Sequence, residues 1–138
     1  MGAASRCRES TAEALRLITA LLDTKALRYY ISICDSLGIS ALVEIHDESE
    51  VESALSAGAR FIGVNNCNLR DFSVDINNCI RLRASVPNTV LFVADSGIKD
   101  STNIQMLREN GVDAVLIGET LMRAPDKTEK LLELRGNL

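Results

Sequence analysis

Short apolar runs alternate along this chain with segments of helical periodicity. The apolar runs are Leu15–Leu22, Ala41–Ile45, Phe61–Val64, Val90–Ala94 and Ala114–Ile117. They are hydrophobic almost throughout, as expected of parallel strands covered on both faces. Between them the spacing becomes helical. Leu27, Tyr30, Ile31 and Cys34 fall at i, i+3, i+4 and i+7, and Val51, Ala54 and Leu55 repeat the pattern. Ile76, Cys79 and Ile80 mark a third helix. Ile104 and Leu107 mark a fourth, starting near Ser101 or Thr102. Leu131, Leu132 and Leu134 mark the last, after Pro125. Asp47 with Glu50 three residues later reads as a capping box.

The joins repeat as well. SLGISALVEI, SAGARFIGVN and ENGVDAVLIG each stop a helix at a glycine, Gly38, Gly58 or Gly111, and enter a strand within a few residues. The chain is therefore a series of βα units, with strand ends about every 25 residues. Eight such units close a barrel of roughly 200–250 residues. With 138 residues, this chain holds about five. The expected fold is α/β, a partial (β/α)8 barrel of about five parallel units over residues 13–138, behind a polar leader at 1–12. An open doubly wound sheet is the alternative. A partial barrel exposes strand edges and apolar surface, so self-association is expected.

Composition narrows the function classes. The formal net charge is −4 and aromatic residues are only 4%, which argues against a nucleic-acid partner. The apolar runs are far shorter than the roughly 20 residues a membrane helix needs. The start, MGAASRCRES, lacks an apolar signal stretch. Cys7, Cys34, Cys67 and Cys79 form no CxxC pair, and the single His46 completes no zinc spacing with them. The thiols are read as reduced and the protein as cytoplasmic.

Candidate chemistry lies where parallel α/β folds place it, at the carboxyl ends of the strands. Glu44 ends the second strand, Asn65 the third and Asp95 the fourth, while Gly118 follows the fifth. By parity Glu44 shares a face with Leu42, opposite Val43 and Ile45, and so can point to a barrel interior. Each residue also has an ordinary reading: solvent carboxylate, loop amide or turn residue. His46 reads as a helix-entry residue and Cys67 as a bystander. Ser96–Gly97 and Gly118, the latter before a short helix from Glu119, suit a phosphate loop, or simply permit tight turns.

Taken in order, LVEIHDESEVESALSAGARFIGVNNCNLRDFSVD, VADSGIK and DAVLIGETLMRAPDK resemble the C-terminal part of indole-3-glycerol phosphate synthase, from about Leu17 to Leu134. V-E-x-H-D, G-x-N-N-x-N-L, S-G-I and G-E-x-L-M-R together are far more specific than any one alone. The resemblance implies a carboxy-lyase of tryptophan biosynthesis. Its reaction is the decarboxylating ring closure of a carboxyphenylamino-deoxyribulose phosphate, with no metal or organic cofactor. It implies Glu44 as acid/base carboxylate, Asn65 as substrate-holding amide, and Asp95 where the family has a glutamate. It places Ser96, Gly97, Gly118 and Glu119 at phosphate-binding positions.

The chain departs from that pattern in three ways. The family's catalytic lysines lie on earlier strands, and neither Lys25 nor Lys99 maps to them. Asp95 is one methylene shorter than glutamate. Cys67 replaces an arginine. The resemblance thus implies impaired activity for this chain alone, or pairing with a missing N-terminal half. The alternatives are another phosphosugar barrel such as phosphoribosylanthranilate isomerase, and a phosphate-binding or self-associating half-barrel without catalysis.

Overall fold

A computed structural model of the chain describes residues 13–67 and 73–136. The expected leader at 1–12, with Cys7, lies outside the described residues. Five strands, β1 (Ala14–Ile18), β2 (Ser40–Ile45), β3 (Phe61–Asn65), β4 (Leu91–Asp95) and β5 (Ala114–Leu116), form one parallel sheet in the order β1-β2-β3-β4-β5. Helices alternate with them: α1 (Thr24–Leu37), α2 (Glu48–Ser56), α3 (Ile76–Arg83), α4 (Ser101–Glu109), the short α5 (Glu119–Arg123) and α6 (Lys127–Arg135).

Strictly sequential strand order decides between the two expected architectures. Right-handed crossovers taken always in one direction lay every helix on the same face of the sheet. A doubly wound sheet needs a reversal of order, and none is present among the described residues. The fold is a partial barrel. Alternate residues on its helix-covered face, among them Leu17, Val43, Ile45, Ile62, Val64, Phe92 and Ala94, are buried with Leu27, Ile31, Cys34, Val51, Ala54, Cys79 and Leu82 from the helices. That packing pushes the Cys79 thiol up to about 12 by desolvation, so it is an apolar core group rather than a reactive one.

The other face carries three rows set by the strand register. Arg16, Leu42, Phe61 and Leu91 form the first, Ile18, Glu44, Gly63, Val93 and Ala114 the second, and Asn65, Asp95 and Leu116 the third. Layers of this kind fill the interior of a closed barrel. Here Leu91 and Leu116 remain nearly half exposed.

Several boundaries differ from the sequence expectation. β1 stops at Ile18 instead of running to Leu22, because Thr19–Leu21 winds into a 3-10 turn. The Thr19 hydroxyl donates to the Glu44 carbonyl, and Leu22 N–H returns to Thr19 O at 3.2 Å. β4 begins and ends one residue later than expected, and β5 ends one earlier. α4 starts at Ser101 as expected, capped by Asp100, whose carboxylate accepts from Asn103 N–H at 2.9 Å. Leu131 and Leu132 point outward on α6, leaving Leu134 as the buried member of that trio. The joint glycines Gly38, Gly58 and Gly111 take the expected left-handed backbone, with φ of 67, 88 and 76°.

Candidate functional site

The carboxyl ends of β2, β3 and β4 bring Glu44, Asn65 and Asp95 to one helix-free surface. Glu44 is almost wholly buried although it sits on the open face, because its neighbours close over it. Asn65 Nδ2 lies 3.4 Å from Glu44 Oε1, a long hydrogen bond. Asn65 Oδ1 accepts from Cys67 N–H at 2.9 Å, which fixes the amide so that its NH2 faces the carboxylate. Asp95 Oδ1 accepts from the Ser96 hydroxyl at 3.1 Å.

Two residues complete this cluster that sequence reasoning did not assign to it. Arg16, on β1, places Nη1 2.8 Å from Asp95 Oδ2 and 3.1 Å from Glu44 Oε2. No signal in the run LRLIT marks it beyond a charge inside a strand, where a buried strand would carry an apolar residue. Asn66 is buried and acts as a staple. Its N–H donates to Asp95 O at 2.9 Å, its Nδ2 to Ser96 O at 3.1 Å, and its own carbonyl accepts from Asp75 N–H at 3.0 Å.

His46 does enter a helix, as expected, but its ring also belongs to the cluster. Its peptide N–H donates to Glu50 Oε2 at 2.7 Å, and Nδ1 lies 3.2 Å from the same oxygen. Nε2 faces Glu44 Oε1 at 3.6 Å. Glu50 therefore reaches back to His46 rather than to the cap residue Asp47, one position off the usual capping box. Among the described residues, the buried atoms His46 Nε2 and Asn66 Oδ1 have no hydrogen-bond partner, and Glu44 Oε2 has only the Arg16 ion pair.

Beside Asp95 a cavity of about 410 Å³ is lined by Ser96, Gly97, Lys99, Gly118, Glu119, Thr120 and Arg123, among others. Both glycine loops thus border one space. Ser96 and Gly97 have φ of 70 and 76°, and Thr120 Oγ1 donates to Ile98 O at 2.6 Å, tying the two loops together. Glu119 does not place its charge in the cavity unopposed, since Arg123 Nε meets it at 2.8 Å. A second cavity, of about 750 Å³, runs past His46, Glu50, Asn65 and Cys67 to α3. Among the described residues no three His, Cys, Asp or Glu side chains form a metal-holding group, and no helix is long and apolar enough to cross a membrane.

Comparison with known proteins fixes the lineage. The family model described as indole-3-glycerol phosphate synthase matches residues 4–134. The chain belongs to the indole-3-glycerol phosphate synthase family. The synthase of Ruminiclostridium cellulolyticum is 56% identical over 126 residues, covering 91% of this chain and 48% of the relative. That of Leuconostoc mesenteroides is 48% identical over 120 residues, covering 87% and 46%. The chain spans about half the length of these synthases. Among solved structures, 3-hexulose-6-phosphate synthase from Salmonella typhimurium superposes with a TM-score of 0.81 at 16% identity, covering 95% of this chain and 64% of that one. Thiamine phosphate pyrophosphorylase from Pyrococcus furiosus gives 0.75 at 20% identity, covering 96% and 62%. At such low identity these two speak to the partial-barrel fold of the synthase-family chain, not to its chemistry.

Proposed function

We propose that this chain carries one acid/base carboxylate and the phosphate-binding loops of an indole-3-glycerol phosphate synthase. The substrate class is a phosphorylated carboxyphenylamino-deoxyribulose, and the reaction is a decarboxylating ring closure in tryptophan biosynthesis, in the cytoplasm. The observation that carries the proposal is the convergence of Glu44, Asn65 and Asp95 at one strand-end surface, in a chain of this family.

Ring closure needs a proton delivered to the carbonyl as the new carbon–carbon bond forms, and loss of the ring carboxyl as carbon dioxide, its bonding electrons returning to the ring. The hydroxyl then leaves as water, with one proton delivered to it and one removed from the new ring. A carboxylate held against an amide suits alternate donation and acceptance at the reacting end. In this reading Glu44 moves the proton, Asn65 orients the substrate and Asp95 sits across from Glu44. The remote phosphate takes the cavity bordered by Ser96, Gly97, Gly118 and Glu119, where backbone N–H groups of the glycine loops reach it. Its binding aligns the reacting end.

Turnover requires more barrel than these residues supply. The open face and the matched half-length of the relatives support that part of the proposal. The test is fluorescence assay of indole-3-glycerol phosphate formation, by this chain alone and mixed with the remaining part of the Ruminiclostridium cellulolyticum enzyme. The expected result is turnover on mixing only, lowered at least 100-fold by Glu44→Gln, the low end of the usual acid/base contribution. Turnover that Glu44→Gln leaves unchanged overturns the assignment.

A second reading is favoured by Leu91 and Leu116, 46% and 45% exposed on the face that a closed barrel would cover. In that reading the chain pairs with itself and keeps phosphate binding without turnover.

A further inference from the structure

The proposal below rests on the synthase reading and concerns a residue that reading does not contain. Arg16 and Asp95 stand on β1 and β4, three strand spacings apart, about 14 Å in a flat sheet. By register Arg16 is level with Leu91, so Asp95 lies four residues further up its strand, roughly another 13 Å. An arginine does not span that diagonal in a flat sheet. The 2.8 Å contact exists because the sheet curls toward its helix-free side.

At the end of that reach Arg16 does not meet one partner but stands between two. The same nitrogen, Nη1, contacts Glu44 Oε2 and Asp95 Oδ2. Those oxygens are therefore within about 6 Å of each other, close enough for two like charges to repel strongly. Their side chains are only 4% and 13% exposed, so water does little to screen them. We propose that Arg16 is the positioning residue of this site: one cation that bridges Glu44 and Asp95 and holds the two carboxylates side by side. Without it two like charges stand in a poorly solvated space with nothing between them, and the pair moves apart.

Other charged and titratable groups face the pair and are the same residues in every variant. His46 stands beside Glu44, with Glu50 and Asp47 behind it, and Asp75 and Arg81 line the far side of that cavity. Lys99 and the Glu119–Arg123 pair border Asp95.

The loss of the bridge is read without any turnover. Backbone amide resonances of Glu44, Asn65 and Asp95, and the ring resonances of His46, the single histidine of the chain, whose Nε2 is 3.6 Å from Glu44 Oε1, are compared by NMR at one fixed pH in the wild type, Arg16→Leu and Arg16→Lys. Arg16→Leu is expected to move them as the carboxylates part, and Arg16→Lys, which restores a charge to one nitrogen, to return them toward the wild-type positions. A folded Arg16→Leu chain whose resonances at these residues are unmoved overturns the proposal, as does Arg16→Lys moving them as far as leucine does. If Arg16→Leu fails to fold, Arg16→Gln, which keeps a donor but no charge, is read with the same expectation.

In the mixed-chain assay kcat is expected to fall roughly 100-fold in Arg16→Leu, the usual cost of a misplaced reacting group, with KM nearly unchanged, and to recover in Arg16→Lys. Turnover that ignores residue 16 overturns the clamp. Moved resonances with no turnover from any mixture overturn the synthase reading and leave the clamp standing.

Discussion

A Cβ at position 97 has no room. The backbone there is left-handed, and the atom would come 2.1 Å from Val74 Cγ1. Replacing Gly97 with alanine is expected to cost about 2 kcal/mol, read as a lower urea midpoint. Gly118 makes an instructive contrast. A Cβ added to it meets nothing within 4 Å, and its φ is −108°. Gly118→Ala is expected to leave the urea midpoint within about 0.5 kcal/mol of the parent. In the sequence the two glycines looked alike, each a small residue just after a strand. What separates them is Val74, from the segment after β3, which no local pattern connects to position 97. Arg16 is a related case. Its charge was visible, but its partners lie 28 and 79 residues away. The carboxylates could be found because strand parity is local. Their cation could not, because it depends on how far the sheet curls.

At the scale of elements, α2 shows how a helix start is written in side chains. Asp47 Oδ1 accepts Glu50 N–H at 2.9 Å and the Ser49 hydroxyl at 2.8 Å. The Glu50 N–H above all, then the Ser49 hydroxyl, holds the Asp47 carboxyl below its ordinary 3.8. A carboxyl depressed by folding stabilises the native state fully above its unfolded pKa, and that contribution fades as pH falls through the folded value. Asp47→Ala is therefore expected to cost about 1 kcal/mol at neutral pH. The gap between parent and variant in chemical denaturation should close as pH drops below about 4. A gap that persists to pH 2 would mean that the cap acts through something other than its charge. The helices and strands were legible because each has its own periodicity and its own stop. The turn after β1 was not. The run Leu15–Leu22 is apolar apart from Arg16 and Thr19, and the hydroxyl of Thr19 meeting the Glu44 carbonyl on the neighbouring strand breaks it. The outward turn of Leu131 and Leu132 was hidden for a similar reason. Two adjacent leucines cannot both face one narrow contact, and the sequence does not say which of the three wins.

For the molecule as a whole, the asymmetry between the two sheet faces is the main physical fact. One is sealed by helices, whereas the other presents Leu91 and Leu116 beside a buried charged cluster. The free edges of β1 and β5 add unpaired backbone. This arrangement predicts binding of an apolar dye and a mass by light scattering that grows with concentration. Both should fall when the complementing part of a related synthase is added. A compact monomer that ignores dye at high concentration would show that the face is covered from within. The partial-barrel architecture was readable from the repeat length, while the absence of a reversal in strand order was not, since a βα period is common to barrels and open sheets alike.

That sequential order has a consequence for how the molecule is made. Among the described residues every strand pairs only with its neighbours in the sequence, so each unit can dock once the one before it is in place. The chain can therefore assemble progressively during synthesis, each βα unit settling on the one before it, much as a solenoid grows. Its resistance to opening should be graded accordingly, with amide hydrogens of β3 exchanging slowest and those of the outer strands fastest.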